Sequence, residues 1–253
     1  MKKAHLPQVY TYFISILIFI LHLPMLFAKS LNGTFNFDNS GKTNSSHKIV
    51  EDSLTSSAMM LYDSLKLNVK GLSRNAYNYA IEGLDKLMAS GRIQKDDILS
   101  IVDFSRPSIE KRFFVIDLNH RKLLFNTYVA HGQGSGKYFA RQFSNNPSSF
   151  QSSLGFYETS STYNGKHGFS LKLAGLENGI NDKVEERAIV MHAASYVSEN
   201  YIHATGCLGR SQGCPALPEK ISKPIIEKIK NGTCLFIYGP DNKYLSRSHL
   251  LNS

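Results

Sequence analysis

The first pattern along the chain is an apolar block, Phe13 to Leu21, broken only by Ser15 and preceded by the positive start Lys2, Lys3 and His5. Pro24 interrupts the block, and Ala28 and Ser30 supply small residues suited to a signal peptidase, so residues 1–28 read as an export signal. An uncleaved membrane anchor is the alternative, because Val9 to Ala28 is about the 20 residues a spanning helix needs; His22 and Pro24 weigh against it. On either reading the remainder works outside the cytoplasm, in the periplasm or cell envelope, and touches the membrane only through this N-terminal segment. Residues 29–55 are rich in Ser, Asn, Gly and Lys without sustained periodicity and read as a flexible linker.

Beyond the linker the period becomes helical. Ser73 can cap a run in which Tyr77, Ala80, Ile81, Leu84, Leu87 and Met88 recur at helical spacing, and Gly91 can close it. Residues 56–104 are therefore assigned to a small helical annex packed on the main domain. At Arg112 the period switches to that of strands. Phe113 to Leu118 and Lys122 to Val129 are apolar, aromatic and β-branched, and Asn119, His120 and Arg121 part them as a hairpin turn. Further strands are predicted at Gly155 to Thr159, Phe169 to Leu173, Ala188 to His192 and Cys234 to Tyr238. A helix is predicted from Pro224 to Lys230, ended by Asn231 and Gly232. Many strands, few helices and no regular alternation of the two predict an α+β, β-rich main domain over 105–245, with 246–253 as a tail.

Composition narrows the partners. A chain of 253 residues, 42% hydrophobic and 19% charged, can bury a real core and is not a disordered polymer. The formal charge is +9; the export signal holds two lysines and no acid, which leaves +7 on the rest and favours an anionic partner such as a polyanionic wall polymer. Nucleic acid fits poorly, because the basic residues are spread along the chain with no basic run interleaved with aromatics. The three cysteines, Cys207, Cys214 and Cys234, are an odd number for an oxidising compartment and leave one thiol over. If Cys214 stays free, the pairing that remains is Cys207 with Cys234.

Two segments carry candidate chemistry. Ile189-Val190-Met191-His192-Ala193-Ala194 sets a histidine at the end of an apolar strand, and Gly209-Arg210-Ser211-Gln212-Gly213-Cys214-Pro215-Ala216-Leu217 sets a cysteine in a tight turn before a proline. A thiolate is the attacking species, so the site must lower the thiol pKa or take its proton, and an imidazole can do either. Backbone N–H groups of the turn can converge on an oxyanion. The Gly132-Gln133-Gly134-Ser135-Gly136 segment lacks the lysine and hydroxyl spacing of a phosphate loop and reads as a turn or a substrate-facing loop. His192, His203 and Cys207 lack the paired spacing of a structural zinc site, and neither metal nor cofactor is implied.

These segments resemble the L,D-transpeptidase (YkuD-type) catalytic domain, in the murein branch with a Gly-Arg-Ser-x-Gly-Cys-Pro-Ala signature. The likeness runs from about Ser105 to Tyr238 and includes Val115 to Leu118, Val129 to Gly136 and Lys166-His167-Gly168. It implies a β-sandwich catalytic domain and two-step acyl transfer on peptidoglycan stem peptides, which serve as donor and acceptor. It also implies Cys214 as nucleophile and His192 as base, with the Ala193 carbonyl orienting the imidazole. The N–H groups of Gln212, Gly213 and Cys214 would form the oxyanion hole, and Ser211 would hold the loop. The broader family usually has a histidine where Gln212 stands, an arginine shortly after the cysteine, and a glycine at Ala193. Arg210 can stand in for the missing arginine on a substrate carboxylate or form a structural ion pair. His131 and Gly134 are further substrate-binding candidates, although a hydrogen-bonded or surface histidine is the plainer reading of His131, and of His167. A hydrolase on the same fold, an L,D-carboxypeptidase or wall-amide hydrolase, and a wall-binding module without catalysis are the alternatives.

Overall fold

The computed structural model describes residues 57–93 and 95–252. The expected export signal and linker lie outside the described residues. No helix among the described residues is long and apolar enough to cross a membrane. A short helix α1 (57–64) precedes α2 (Arg74–Ala89). Ser73 starts α2 as the spacing predicts: its backbone is extended and its hydroxyl accepts the Ala76 N–H at 3.3 Å. The helix buries Ala76, Tyr77, Ala80, Gly83, Leu84 and Leu87, a single stripe at helical spacing.

The annex predicted through residue 104 stops at this helix. Lys95–Asp103 is instead a strand, β1, and lies in the middle of the sheet between two neighbours. Ile98, Leu99, Ile101 and Val102 are almost wholly buried. A strand covered on both faces has no polar alternation to betray it, so its period is not that of a half-exposed strand. The remaining strands are β2 (Phe113–Asp117), β3 (Lys122–Thr127), β4 (Gly155–Gly165), β5 (Gly168–Gly175), β6 (Val190–Ala193), β7 (Ala216–Leu217) and β8 (Thr233–Tyr238). The β2–β3 hairpin and the strands predicted near Gly155, Phe169, Ala188 and Cys234 are all present, with shifted ends.

The eight strands form one hydrogen-bonded series, β3-β2-β1-β8-β4-β5-β6-β7. Pairs β1–β8 and β6–β7 are parallel and the rest antiparallel. The chain leaving β3 then bridges the opposite end of the series, Ala130 with Ala216 and Gly132 with Ser211. The series therefore folds over and joins its own ends, in keeping with the α+β, sandwich-type class.

Three further helices are α3 (Glu199–Thr205), α4 (Glu219–Ile229) and α5 (Asn242–Arg247). The sequence starts α4 at Pro224, but the helix begins five residues earlier and runs through the proline. Ile225, Ile226 and Ile229 are fully buried, and anchoring that face in the core offsets the hydrogen bond that Pro224 cannot donate. The predicted tail is docked rather than loose. Ser248 is fully buried, and its hydroxyl and that of Tyr244 both donate to the buried Glu177 carboxylate, which also accepts the Phe156 N–H at 2.7 Å.

Phe156 stacks on Phe236 with ring centroids 4.2 Å apart, and α2 presses Gly83 onto the Phe156 ring, where a methyl group would overlap it. Helix propensity alone favours alanine at such a position by about 0.5–1 kcal/mol, whereas overpacking a filled core costs about 1–3 kcal/mol. Gly83→Ala is therefore expected to lower the thermal unfolding temperature measured by circular dichroism. An unchanged or raised temperature would mean that the ring yields freely and that the helix is not seated as described.

Candidate active site

The parallel pairing of β6 with β7 brings the two chemistry-bearing segments together, with His192 opposite Ala216 and Ala193 opposite Leu217. Cys214, two residues before Ala216, thus falls beside the start of β6. The Val190 N–H points at its sulfur at 3.5 Å, and the Ala188 carbonyl lies 3.8 Å away. Pro215 confines Cys214 to extended backbone, and Gly213 makes the turn before it at φ +123°. A side chain at Gly213 would strike the Gln151 carbonyl at 2.8 Å and the Ile189 side chain at 2.9 Å, so only glycine fits both the conformation and the space.

Ser211 holds this turn. Its hydroxyl donates to the Cys214 carbonyl at 2.6 Å and accepts the Gly213 N–H at 3.0 Å. That second bond engages the Gly213 N–H. Among the described residues the N–H groups of Gln212 and Cys214 make no backbone or side-chain hydrogen bond to another residue.

His192 is buried, and its Nδ1 lies 2.8 Å from the Ala193 carbonyl. A carbonyl only accepts, so Nδ1 carries the hydrogen and Nε2 keeps its lone pair. Burial holds the imidazole below its ordinary value; the Ala193 bond works against that and the nearby His167 adds to it. Burial pushes the Cys214 thiol above its ordinary value, only partly countered by the Val190 N–H and the Arg187 charge. At neutral pH the resting pair is therefore a thiol and a neutral imidazole, which suits proton transfer on attack better than a standing ion pair.

Cys214, His192, Ser211, Gln212 and Arg210 all line one cavity of about 630 Å³. Its wall also contains Lys166, His167 and Arg187 and, among the described residues, no aspartate or glutamate, a lining suited to an anionic ligand. The His167 ring stacks on that of His192, with centroids 4.5 Å apart and planes 25° apart. His167 sits in the turn joining β4 to β5, and the sequence carries no sign of which strand that turn overlies. Arg187 was equally silent in the sequence. Arg210 is exposed, with Nη1 3.3 Å from the Gly136 carbonyl and 3.5 Å from that of Gln133, and has no carboxylate partner among the described residues. The structural ion pair considered for it is thus absent. Gly134 borders a neighbouring cavity of about 440 Å³ that shares Gln133 and Arg210 with the first.

His131 does not line the catalytic cavity. It is fully buried, accepts from the Arg112 guanidinium at Nδ1 over 2.7 Å, and donates from Nε2 to the Gly136 carbonyl at 3.0 Å. Burial and the Arg112 charge drop its pKa to about 3, so it stays neutral and serves to prop the glycine-rich segment from behind. Cys207 and Cys234 are buried free thiols, and the bridge considered between them is not formed. Cys234 is fully enclosed in β8 between β1 and β4.

The sequence matches the L,D-transpeptidase catalytic domain over residues 68–238. No curated protein matches it. Among solved structures it is similar to an L,D-transpeptidase from Mycobacterium smegmatis, at 12% identity over 56% of this chain and 59% of that one, with a TM-score of 0.35. An L,D-transpeptidase from Stackebrandtia nassauensis shows 17% identity over 66% and 68%, with a TM-score of 0.34. The helical cell shape determining protein from Campylobacter jejuni shows 12% over 63% and 57%, with a TM-score of 0.38. This chain thus spans less than two thirds of the mycobacterial and Campylobacter proteins. The family match covers more than half of the chain and includes both β6 and the cysteine turn, and the protein belongs to the L,D-transpeptidase catalytic-domain family.

Proposed function

We propose that this protein transfers acyl groups between peptidoglycan stem peptides through a thioester on Cys214, with His192 as the base. The observation that carries the reading is that the β6–β7 pairing brings the cysteine turn beside the His192 strand, so that a thiol and a neutral imidazole line one cavity with no acid among the described residues of its wall. His192 Nε2 takes the thiol proton as the sulfur attacks the carbonyl of the third stem residue, a diamino acid. The oxyanion that forms meets the N–H groups of Gln212 and Cys214. Collapse breaks the bond to the terminal D-amino acid, which leaves with the proton held by His192. An amine of a second stem then attacks the thioester, gives its proton to His192 and restores the thiol. Water in place of that amine turns the same cycle into carboxypeptidase or wall-amide hydrolase chemistry. The basic cavity suits stem carboxylates, and the positive chain suits a polyanionic wall polymer. The family's place in the cell wall and the signal-like residues 1–28 support export to the cell envelope.

Incubation with tetrapeptide-stem muropeptides, read by mass, tests the reading. Cross-linked dimers support it, trimmed monomers alone convert it to a hydrolase, and unchanged substrate from folded protein sinks it. Cys214→Ala is expected to abolish turnover without loss of fold. Cys207→Ala, which alters a buried free thiol, is expected to keep most of it. Equal loss in two folded variants would contradict the roles.

The base has its own signature in pH. Because burial raises the Cys214 thiol, removal of His192 leaves it protonated at neutral pH, and His192→Ala is expected to lose about 100-fold or more in acylation rate there. The loss should shrink as pH rises and the thiol ionises unaided, whereas Cys214→Ala should never recover. In the wild type the acid limb should lie below the ordinary imidazole range, since burial favours the neutral ring. Intact-mass measurement of acyl-enzyme against pH decides; fast acylation of His192→Ala at neutral pH removes it as the base.

A further inference from the structure

Arg187 lies in the turn that feeds β6 and is half-buried against the catalytic cavity. Its Nη1 donates to the Ser144 carbonyl at 2.8 Å and to the Ser153 hydroxyl, and its Nη2 to the Gln151 carbonyl at 2.6 Å and the Ser149 hydroxyl at 3.3 Å. All four acceptors belong to the single segment 144–153, and all four are neutral. Among the described residues no carboxylate comes within 4.0 Å of the guanidinium. The same Nη2 lies 3.2 Å from the point where a side chain on Gly213 would begin, directly against the residue before the nucleophile.

A charge drawn half out of water without a counter-charge carries a cost, and a neutral donor would have sufficed to tie down a loop. Burial weakens Arg187's hold on its proton, and negative charge at Tyr157, then at Cys214, would strengthen it. Among the described residues the other ionisable groups lining the cavity with Cys214 are His192 on β6, Tyr196 just after it, Lys166, His167 and Tyr163 at the β4–β5 tip, and Arg210 on its own loop; none is a carboxylate. Arg210 rests on the Gln133 and Gly136 carbonyls, and Pro215-Ala216-Leu217 offers no cation after the cysteine.

We propose that Arg187 is the positioning residue of this site: its planar fork holds the 144–153 segment against the cysteine turn, and its uncompensated charge beside Gly213 steadies the negative charge that forms on Cys214 and then on the attacked carbonyl oxygen. The inference rests on Cys214 as nucleophile, but its test needs no wall substrate.

The test is alkylation of the full chain by iodoacetamide across the imidazole and thiol titration range, with Cys214 followed by peptide mass so that Cys207 and Cys234 are counted separately. Arg187→Met is expected to move the Cys214 profile to higher pH, with about a 10-fold slower reaction at neutral pH for each unit moved and convergence with wild type once the thiol is fully ionised. Arg187→Lys keeps the charge and loses the fork, so its profile should stay near that of wild type while amides of 144–153 exchange faster with deuterium. A folded Arg187→Met with the wild-type profile overturns the proposal. So does an Arg187→Lys profile moved by about a unit or more, and this variant decides alone if Arg187→Met does not fold. A wild-type chain that alkylates as expected yet leaves muropeptides unchanged would sink the proposed function and not the assignment of Arg187.

Discussion

The site depends on one fully buried residue, Ala216, pinned on both sides. Its strand is two residues long, and it pairs with His192 on one flank and with Ala130 on the other, where the Ala130 N–H reaches its carbonyl at 2.9 Å. Neither Cys214 nor His192 is placed by its own segment. A turn of nine residues can bend in many ways, but once Ala216 is held between two strands, Pro215 and Gly213 leave Cys214 a single position beside Val190. The same junction joins the two ends of the eight-strand series, so closure of the sheet and assembly of the site are one event.

Behind this junction a chain of buried polar groups connects the N-terminal helix to the glycine-rich segment. Asp103 accepts the Ser73 N–H at the start of α2. Its charge supports the wholly buried Arg112, whose pKa burial holds down at about 9, still cationic at neutral pH. Arg112 in turn donates to the Val129 and Arg106 carbonyls and to His131, which holds Gly136. Each member has a partner, which is the condition under which buried polar groups fix a geometry instead of weakening it. The helical annex is thereby coupled to the wall of the site.

The electrostatics of the site follow from what its wall omits. With Lys166, Arg187 and Arg210 present and no acid among the described residues of the wall, a negative charge carried by a ligand meets cations and dipoles there. Burial keeps thiol and imidazole neutral at rest, so the charged pair arises when a substrate needs it. His167 stacked on His192 restricts the ring from the face that the Ala193 bond does not control.

What the sequence determined by itself is what local chemistry can encode. The capped period of α2, the β2–β3 hairpin, the Ser211 hydroxyl within reach of its own turn, and the carbonyl next to His192 all involve neighbours a few residues apart. The nine residues around Cys214 are specific because turn glycine, cysteine and proline are consecutive and set the cysteine's backbone locally. Contacts across long separations were decided by the tertiary structure. Lys95–Asp103 lies inside the sheet because β2 and β8 pair with its two edges, and its residues from Leu99 on are buried on both faces, which removes the alternation that would announce it. His131, next to the glycines, turned inward because Arg112 lies behind it. The Gly213 N–H turned to the Ser211 hydroxyl across the turn. Arg187 and His167 reach the neighbourhood of Cys214 and His192 only through pairing of strands distant in sequence, and no period or motif in a single chain records which loops such pairing will bring together.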